Sequence, residues 1–313
     1  MSRRFRSQWP IIGGALAAAV VVVGAFVVIG QQRAEDLPSA SSSGGTHATE
    51  QASEATETEG AAVPVYYVVD TERAGTRLVR EFRQVDDPVP GALSLLGEAP
   101  LDPDYRTLVP TGALARAQID DDQITVDLAS RDWTTLPEGM TRADARLAIQ
   151  QVVYTLQGIA QSRAQVRFVL DDKPAKAFGV TTAKGVSAAG FGVLNQMSIT
   201  TPEQGQVITA GVLRVTGVGN GFEASVGWEV RDASGARVLG GAAMMHGWLE
   251  ERLFPFEFTV DVSPLPPGNY TIWTTTDDPT GGTEGAGAMT DDKDFVIVQT
   301  STPSSSLTAS PIG

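Results

Sequence analysis

Hydrophobic and polar positions along this chain change period several times, and each change marks a new kind of element. Residues 11–30 (IIGGALAAAVVVVGAFVVIG) form an unbroken apolar run. About 20 such residues in a helix rising ~1.5 Å each match a ~30 Å hydrocarbon layer, so the pattern predicts a membrane-crossing helix over 10–30. Residues 31–62 are Ser, Thr, Ala, Gly and Glu with almost no large apolar side chain. Burial there cannot offset the entropy of ordering, and a disordered linker with a reach on the order of 30 Å is expected.

Alternation begins after that linker. The segments 65–69 (VYYVV) and 78–85 (LVREFRQV) read as a hairpin turning at 72–76. Pro90 followed by GALSLLGEA predicts a short helix with proline in its first turn, and 123–128 (QITVDL) alternates as a half-buried strand. From Thr141 the period becomes helical, with Leu147, Ile149, Val152, Val153, Leu156, Ile159 and Ala160 on one stripe. Asp144, three residues after Thr141, approximates a capping box, and Arg142, Arg146, Gln150, Gln157 and Gln161 fall largely on the other side. Residues 165–170 (QVRFVL) return to a strand. The result is an α+β domain over 63–180, a small sheet with helices on one face. Glycine and small residues at 181–194 then predict an inter-domain linker.

Beyond residue 195 helical periodicity disappears. Short apolar runs at 197–200, 212–216, 224–230, 256–262, 270–275 and 295–298 alternate with turn signals at the spacing of a β-sandwich. In 265–270 (LPPGNY) Tyr270 occupies the place of a tyrosine corner, and Trp228 suits a position between the sheets. Residues 301–313 are polar and predict a disordered tail.

Charge and composition narrow the setting. Arg3, Arg4 and Arg6 precede the apolar run and Glu35 and Asp36 follow it, so the positive-inside rule places residues 1–9 in the cytoplasm and the rest outside. The run is longer than the apolar core of a cleaved signal and lacks an A-x-A site, which favours an uncleaved signal-anchor. The net charge of −14 argues against nucleic acid as a partner. The absence of cysteine excludes disulfides, thiolate chemistry and lipid attachment through cysteine.

The order of short motifs carries a resemblance. VYYVVD, a leucine-bearing helix, Val109-Pro110-Thr111-Gly112, ITVDL, QQVVYTL and VRFVLDD together resemble the GerMN domain of sporulation and spore-germination proteins, over about 63–179. Pro202, Val215-Thr216-Gly217, Phe222-Glu223-Ala224, Glu229-Val230-Arg231-Asp232 and Phe256-Glu257 resemble the immunoglobulin-like domain of bacterial spore-germination proteins, over 195–300. The resemblance implies extracytoplasmic modules related to ring-building domains, with no catalytic residues to transfer. Members of the family are often anchored through a lipidated cysteine, and some carry two GerMN units. This chain differs on both points.

Candidate chemistry is sparse. Nucleophile-elbow, zinc-protease and phosphate-loop motifs are absent, and His246 is the only histidine outside the linker. It lies in an apolar loop whose Met245, His246, Trp248 and Leu249 form a candidate partner-contact patch. Asp120–Asp122, Asp171 and Asp172, Asp277 and Asp278, and Asp291, Asp292 and Asp294 are all expected at solvated turns. The expectation is a non-enzymatic, membrane-anchored binding or scaffolding protein of the cell envelope. It would take no cofactor or metal, contact envelope proteins or peptidoglycan, and self-associate. Two alternatives stand: a wall-acting hydrolase using a carboxylate pair, and a calcium-dependent adhesion module using the acidic loops around 277–294.

Overall fold

A computed structural model of the chain describes residues 60–298, apart from 210, 279, 281–282 and 284–286. The expected membrane helix at 10–30, the linker before residue 60 and the tail from 301 lie outside the described residues. Among the described residues no helix is long and apolar enough to cross a membrane.

The first domain opens with a long antiparallel hairpin, β1 (Ala61–Thr71) and β2 (Gly75–Val85). Helix α1 (Pro88–Leu96) follows with proline in its first turn, where a missing N–H costs nothing, and buries Ala92, Leu93, Leu95 and Leu96. Strands β3 (Leu114–Ile119) and β4 (Gln123–Leu128) pair antiparallel. Helix α2 (Arg142–Ala160) then crosses back so that β5 (Gln165–Leu170) lies parallel to β4. A parallel neighbour requires such a crossover, and α2 supplies it. The two-residue strand β6 (Lys173–Pro174) completes the order β3-β4-β5-β6, and β7 (Lys176–Ala177) pairs with β8 (Val180–Thr181).

Helix α2 begins where its sequence predicts. Thr141 Oγ1 accepts from the Asp144 N–H at 3.1 Å and Asp144 Oδ2 accepts from the Thr141 N–H at 3.1 Å, a reciprocal cap. Its burial is wider than the apolar stripe implies. Gln150, Gln151, Thr155 and Gln157 are buried, and each has a structural partner. The Gln151 amide donates to the Tyr66 carbonyl at 2.9 Å and accepts from Leu108 N–H at 2.8 Å. Thr155 Oγ1 accepts from Tyr66 N–H at 2.9 Å. Polar side chains thereby fasten α2 to β1, where an apolar residue would strand those backbone groups at a cost of about 1–3 kcal/mol each.

The glycine-rich stretch at 181–194 lies against this domain as a strap. Val186 bridges to Val166, the Gln150 amide donates to Ser187 O and accepts from Ala189 N–H, and Tyr154 Oη donates to Gly190 O. Small residues allow the backbone to run close to α2 and β5. Composition alone resembles a spacer because these partners lie about 20–40 residues back along the chain.

The second domain is a two-sheet sandwich. Its strands are β9 (Met197–Thr201), β10 (Gln206–Thr209), β11 (Val212–Gly219), β12 (Ser225–Asp232), β13 (Arg237–Met244), β14 (Phe254–Asp261), β15 (Gly268–Thr276) and β16 (Thr290–Val298). One sheet has the order β10-β16-β15-β12-β13 and the other β14-β11-β9. Their facing sides bury Leu213, Val215, Val226, Val230, Phe256, Ile272, Phe295 and Ile297. Tyr270 Oη donates to the Pro266 carbonyl at 2.8 Å, the expected tyrosine corner. Trp228 is half-buried and stacks on Phe258 across the sandwich at 5.6 Å.

Candidate functional site

Two features stand out once the folds are in place: the junction between the domains, and the loop joining β13 to β14. At the junction Asn195 is the tie. Asn195 N–H donates to Leu78 O on β2, and the Asn195 amide donates to Met197 O and Thr290 O, so one side chain ties the strap to both β9 and β16.

Beside it lies a buried ionic cluster. Lys293 on β16 is 4% exposed and Asp102, in the loop after α1, is 2% exposed. The Lys293 ammonium donates to Asp102 Oδ2, to Tyr105 Oη at 2.6 Å and to the Asp292 carbonyl at 3.0 Å. Tyr105 Oη in turn donates to Asp291 Oδ1 at 2.6 Å, while Asp291 Oδ2 accepts from the Ile199 N–H of β9. Glu81 on β2 accepts from the N–H groups of Leu101 and Asp102, holding the loop that presents Asp102. Every acceptor of this cluster is matched to a donor, and the donors come from both domains.

The electrostatics follow from burial. Burial alone would lower the Lys293 pKa, but the Asp291 and Asp102 carboxylates outweigh it and hold the ammonium above its ordinary value. Burial raises Asp291, with Lys293 and the Tyr105 hydroxyl opposing, and it raises Tyr105 well above a free phenol, so that hydroxyl stays protonated and donates. Among the described residues Asp292 next door makes no ion pair, and Lys293 only partly offsets its surroundings. Burial, then the Asp104, Asp291 and Asp102 carboxylates, push it up to about 7. Three acidic residues expected at solvated turns, Asp291, Asp292 and Asp294, therefore sit inside β16, and the first is buried between domains. Asp is disfavoured in strands by local propensity, and long-range pairing of Asp291 with Tyr105 and Ile199 overrides it.

The predicted contact patch divides. Met245 points into the sandwich core and bridges to Phe256, so its side chain contributes nothing to a surface. His246 is exposed, its backbone N–H held by Pro255 O. Trp248 is half-buried and meets Phe222 edge-on at 5.3 Å. Leu249 is 81% exposed. The loop is held from below: the Asn220 amide donates to both Glu250 O and Arg252 O at 2.8 Å, and the Arg252 guanidinium lies 4.0 Å over the Phe254 ring. Phe222, whose exposure the sequence reading did not single out, precedes two residues with positive φ, Glu223 and Ala224. That unusual backbone holds an apolar ring outward beside Trp248. The surface is thus Phe222, Trp248 and Leu249, with His246 at its margin.

Two further carboxylates, Asp232 and Asp294, are committed to local structure. A shallow open cleft of about 510 Å³ beside the β15 start includes Asp232 and Asp294. Asp232 Oδ1 accepts from Ser234 and Ala236, and Asp294 accepts from Thr271 and Gln204. Among the described residues no group of three or more metal-ligating side chains converges.

Comparison with known proteins matches these two folds. Residues 64–176 match the family described as "Sporulation and spore germination" and residues 196–283 the family described as "Immunoglobulin-like domain of bacterial spore germination". A comparison with curated proteins found no match. Among solved structures, CopC from Methylosinus trichosporium OB3b is 15% identical, with 33% of this chain and 94% of that chain covered, at a TM-score of 0.24. An engineered protein is 14% identical over 48% of this chain and 36% of its own, also at 0.24. The chain carries a sporulation and spore-germination domain followed by the immunoglobulin-like domain of bacterial spore germination, in that order.

Proposed function

We propose that the chain is a membrane-anchored, non-enzymatic binding or scaffolding protein acting outside the cytoplasm in the bacterial envelope. The observation that carries this reading is the junction: a buried ion pair and the hydrogen bonds of Asn195 to Leu78, Met197 and Thr290 join the two domains. Rigid joining suits a protein that holds partners at fixed spacing, whereas a flexible tether would not transmit position. The apolar run at 11–30 with its preceding arginines supports the anchor. Engagement of Asp232, Asp291 and Asp294 in structural hydrogen bonds favours binding over hydrolysis by a carboxylate pair. Envelope proteins fit the exposed Phe222, Trp248 and Leu249 surface better than a carbohydrate polymer would, because interfaces concentrate aromatic and aliphatic anchors.

The test is fractionation combined with topology. The full chain should sediment with membranes, deletion of residues 1–30 should leave it in the cytosol, and protease added to intact protoplasts should digest the folded domains. A full-length chain recovered in the cytosol and shielded from external protease would overturn the reading.

A further inference from the structure

Lys293 is the one buried lysine of the chain; Lys173, Lys176 and Lys184 all lie at the surface. It is sealed in with two carboxylates. The side chains of Lys293, Asp102 and Asp291 are 4%, 2% and 3% exposed. Holding an ammonium and a carboxylate away from water is costly, and a neutral bond in their place relieves that cost.

We propose that the Lys293 ammonium and the Asp102 carboxylate condense to an amide, an isopeptide bond that ties the first domain covalently to the second, with Asp291 as the general base. The reacting groups are in place. Lys293 Nζ touches Asp102 Oδ2, and a nitrogen in contact with one carboxyl oxygen stands roughly 3–3.5 Å from its carbon, the spacing of a near-attack pair. Glu81 accepts from the N–H groups of Leu101 and Asp102, so the carboxyl is presented from a fixed loop. Asp291 Oδ1 lies 3.5 Å from Nζ. Tyr105 Oη accepts from Nζ and donates to Asp291 Oδ1, both at 2.6 Å, which gives a proton a route from the nitrogen to the base.

The step balances without an outside reagent. One ammonium proton passes to Asp102, leaving a neutral amine beside a carboxylic acid. The amine attacks Asp102 Cγ and the C–N bond forms, while a second nitrogen proton moves through Tyr105 to Asp291. Asp291 returns that proton to the departing hydroxyl, the C–O bond breaks and one water leaves. The third proton stays on the amide nitrogen, and Asp291 ends as the carboxylate it began as. A crevice of about 20 Å³ lined by Glu81, Leu101, Ile199 and Lys293 has room for that water. The carboxylates that keep Lys293 charged make its neutral amine scarce, but the bond has to form only once in each chain, and burial then shields it from hydrolysis. A chain without cysteine thereby gains a covalent tie between residues 191 apart. Neither the anchor nor any partner enters this chemistry.

The experiment is mass spectrometry of the purified full-length chain after several days at neutral pH, intact and after trypsin. The wild type should be lighter than its sequence by one water, about 18 Da. Trypsin should leave residues 84–106 joined to residues 253–313, because an acylated Lys293 is no longer cut. Lys293→Arg keeps the charge without the amine nucleophile, Asp291→Asn removes the base, and both should keep their full sequence masses. A wild type of full mass overturns the proposal, as does a water lost at any other place in the peptide map or an Asp291→Asn chain that crosslinks as fast as wild type. A purely ionic junction gives the first of these results whether or not the variants fold. The readout is a mass, so its failure leaves the membrane fractionation result intact and the two readings fall separately.

Discussion

Asp292→Asn gives a stability change whose sign reverses ordinary expectation for removing a charge beside a lysine. Asp292 contributes its carbonyl to Lys293, while its carboxylate faces the Asp104, Asp291 and Asp102 carboxylates in a half-buried setting. Its pKa of about 7 in the folded chain stands above the ordinary 3.8. Between those values the folded chain keeps a proton that the unfolded chain has released, so stability falls as pH rises from about 4 to 7 and stays reduced above 7. A rise of about three units corresponds to roughly 4 kcal/mol as an upper bound, and screening by water at a half-buried group reduces that to about 1–2 kcal/mol. The asparagine variant keeps the shape and the backbone carbonyl but cannot ionise. It should therefore be more stable than wild type by about 1–2 kcal/mol at pH 8 and equal to it near pH 4. Urea unfolding of both proteins at pH 4, 6 and 8, compared as a difference, cancels the titration of all other groups. A difference that is independent of pH, or a variant less stable at pH 8, would refute the reasoning.

Other outcomes follow from the same contacts. Lys293→Met strands the buried Asp102 and Asp291 carboxylates and should cost about 3–5 kcal/mol by urea unfolding. Adding Asp102→Asn to it should recover part of that loss, because the stranded charge is then removed. Thr141→Ala deletes the reciprocal cap of α2 and should cost about 1 kcal/mol, measured the same way. Gly217→Ala places a Cβ inside van der Waals distance of the Ser198 carbonyl and the Phe256 ring, and should cost about 1–3 kcal/mol with loss of amide protection along β9.

What could be read in the sequence depended on how local the cause was. The α2 start, β4, β5 and the tyrosine corner are each specified by residues within a few positions of one another, and the structure places them where the pattern predicts. Strand β13 was invisible because Gly240, Gly241, Ala242 and Ala243 lack β-propensity; its pairing with β12 makes it a strand. The junction was invisible for a different reason. Asp102 and Lys293 are 191 residues apart, and nothing near Asp291-Asp292-Lys293-Asp294 distinguishes a buried ionic strand from a solvated acidic turn. In the contact loop, the parity of strand positions decides that Met244 faces out and Met245 faces in, and one residue of register separates the two.

Differential scanning calorimetry of the full-length chain, set beside Lys293→Met, tests most directly whether the two domains act as one body. The buried junction predicts a single transition for the wild type, with calorimetric and van't Hoff enthalpies equal, and its separation into two in the variant. Two independent transitions in the wild type would contradict it.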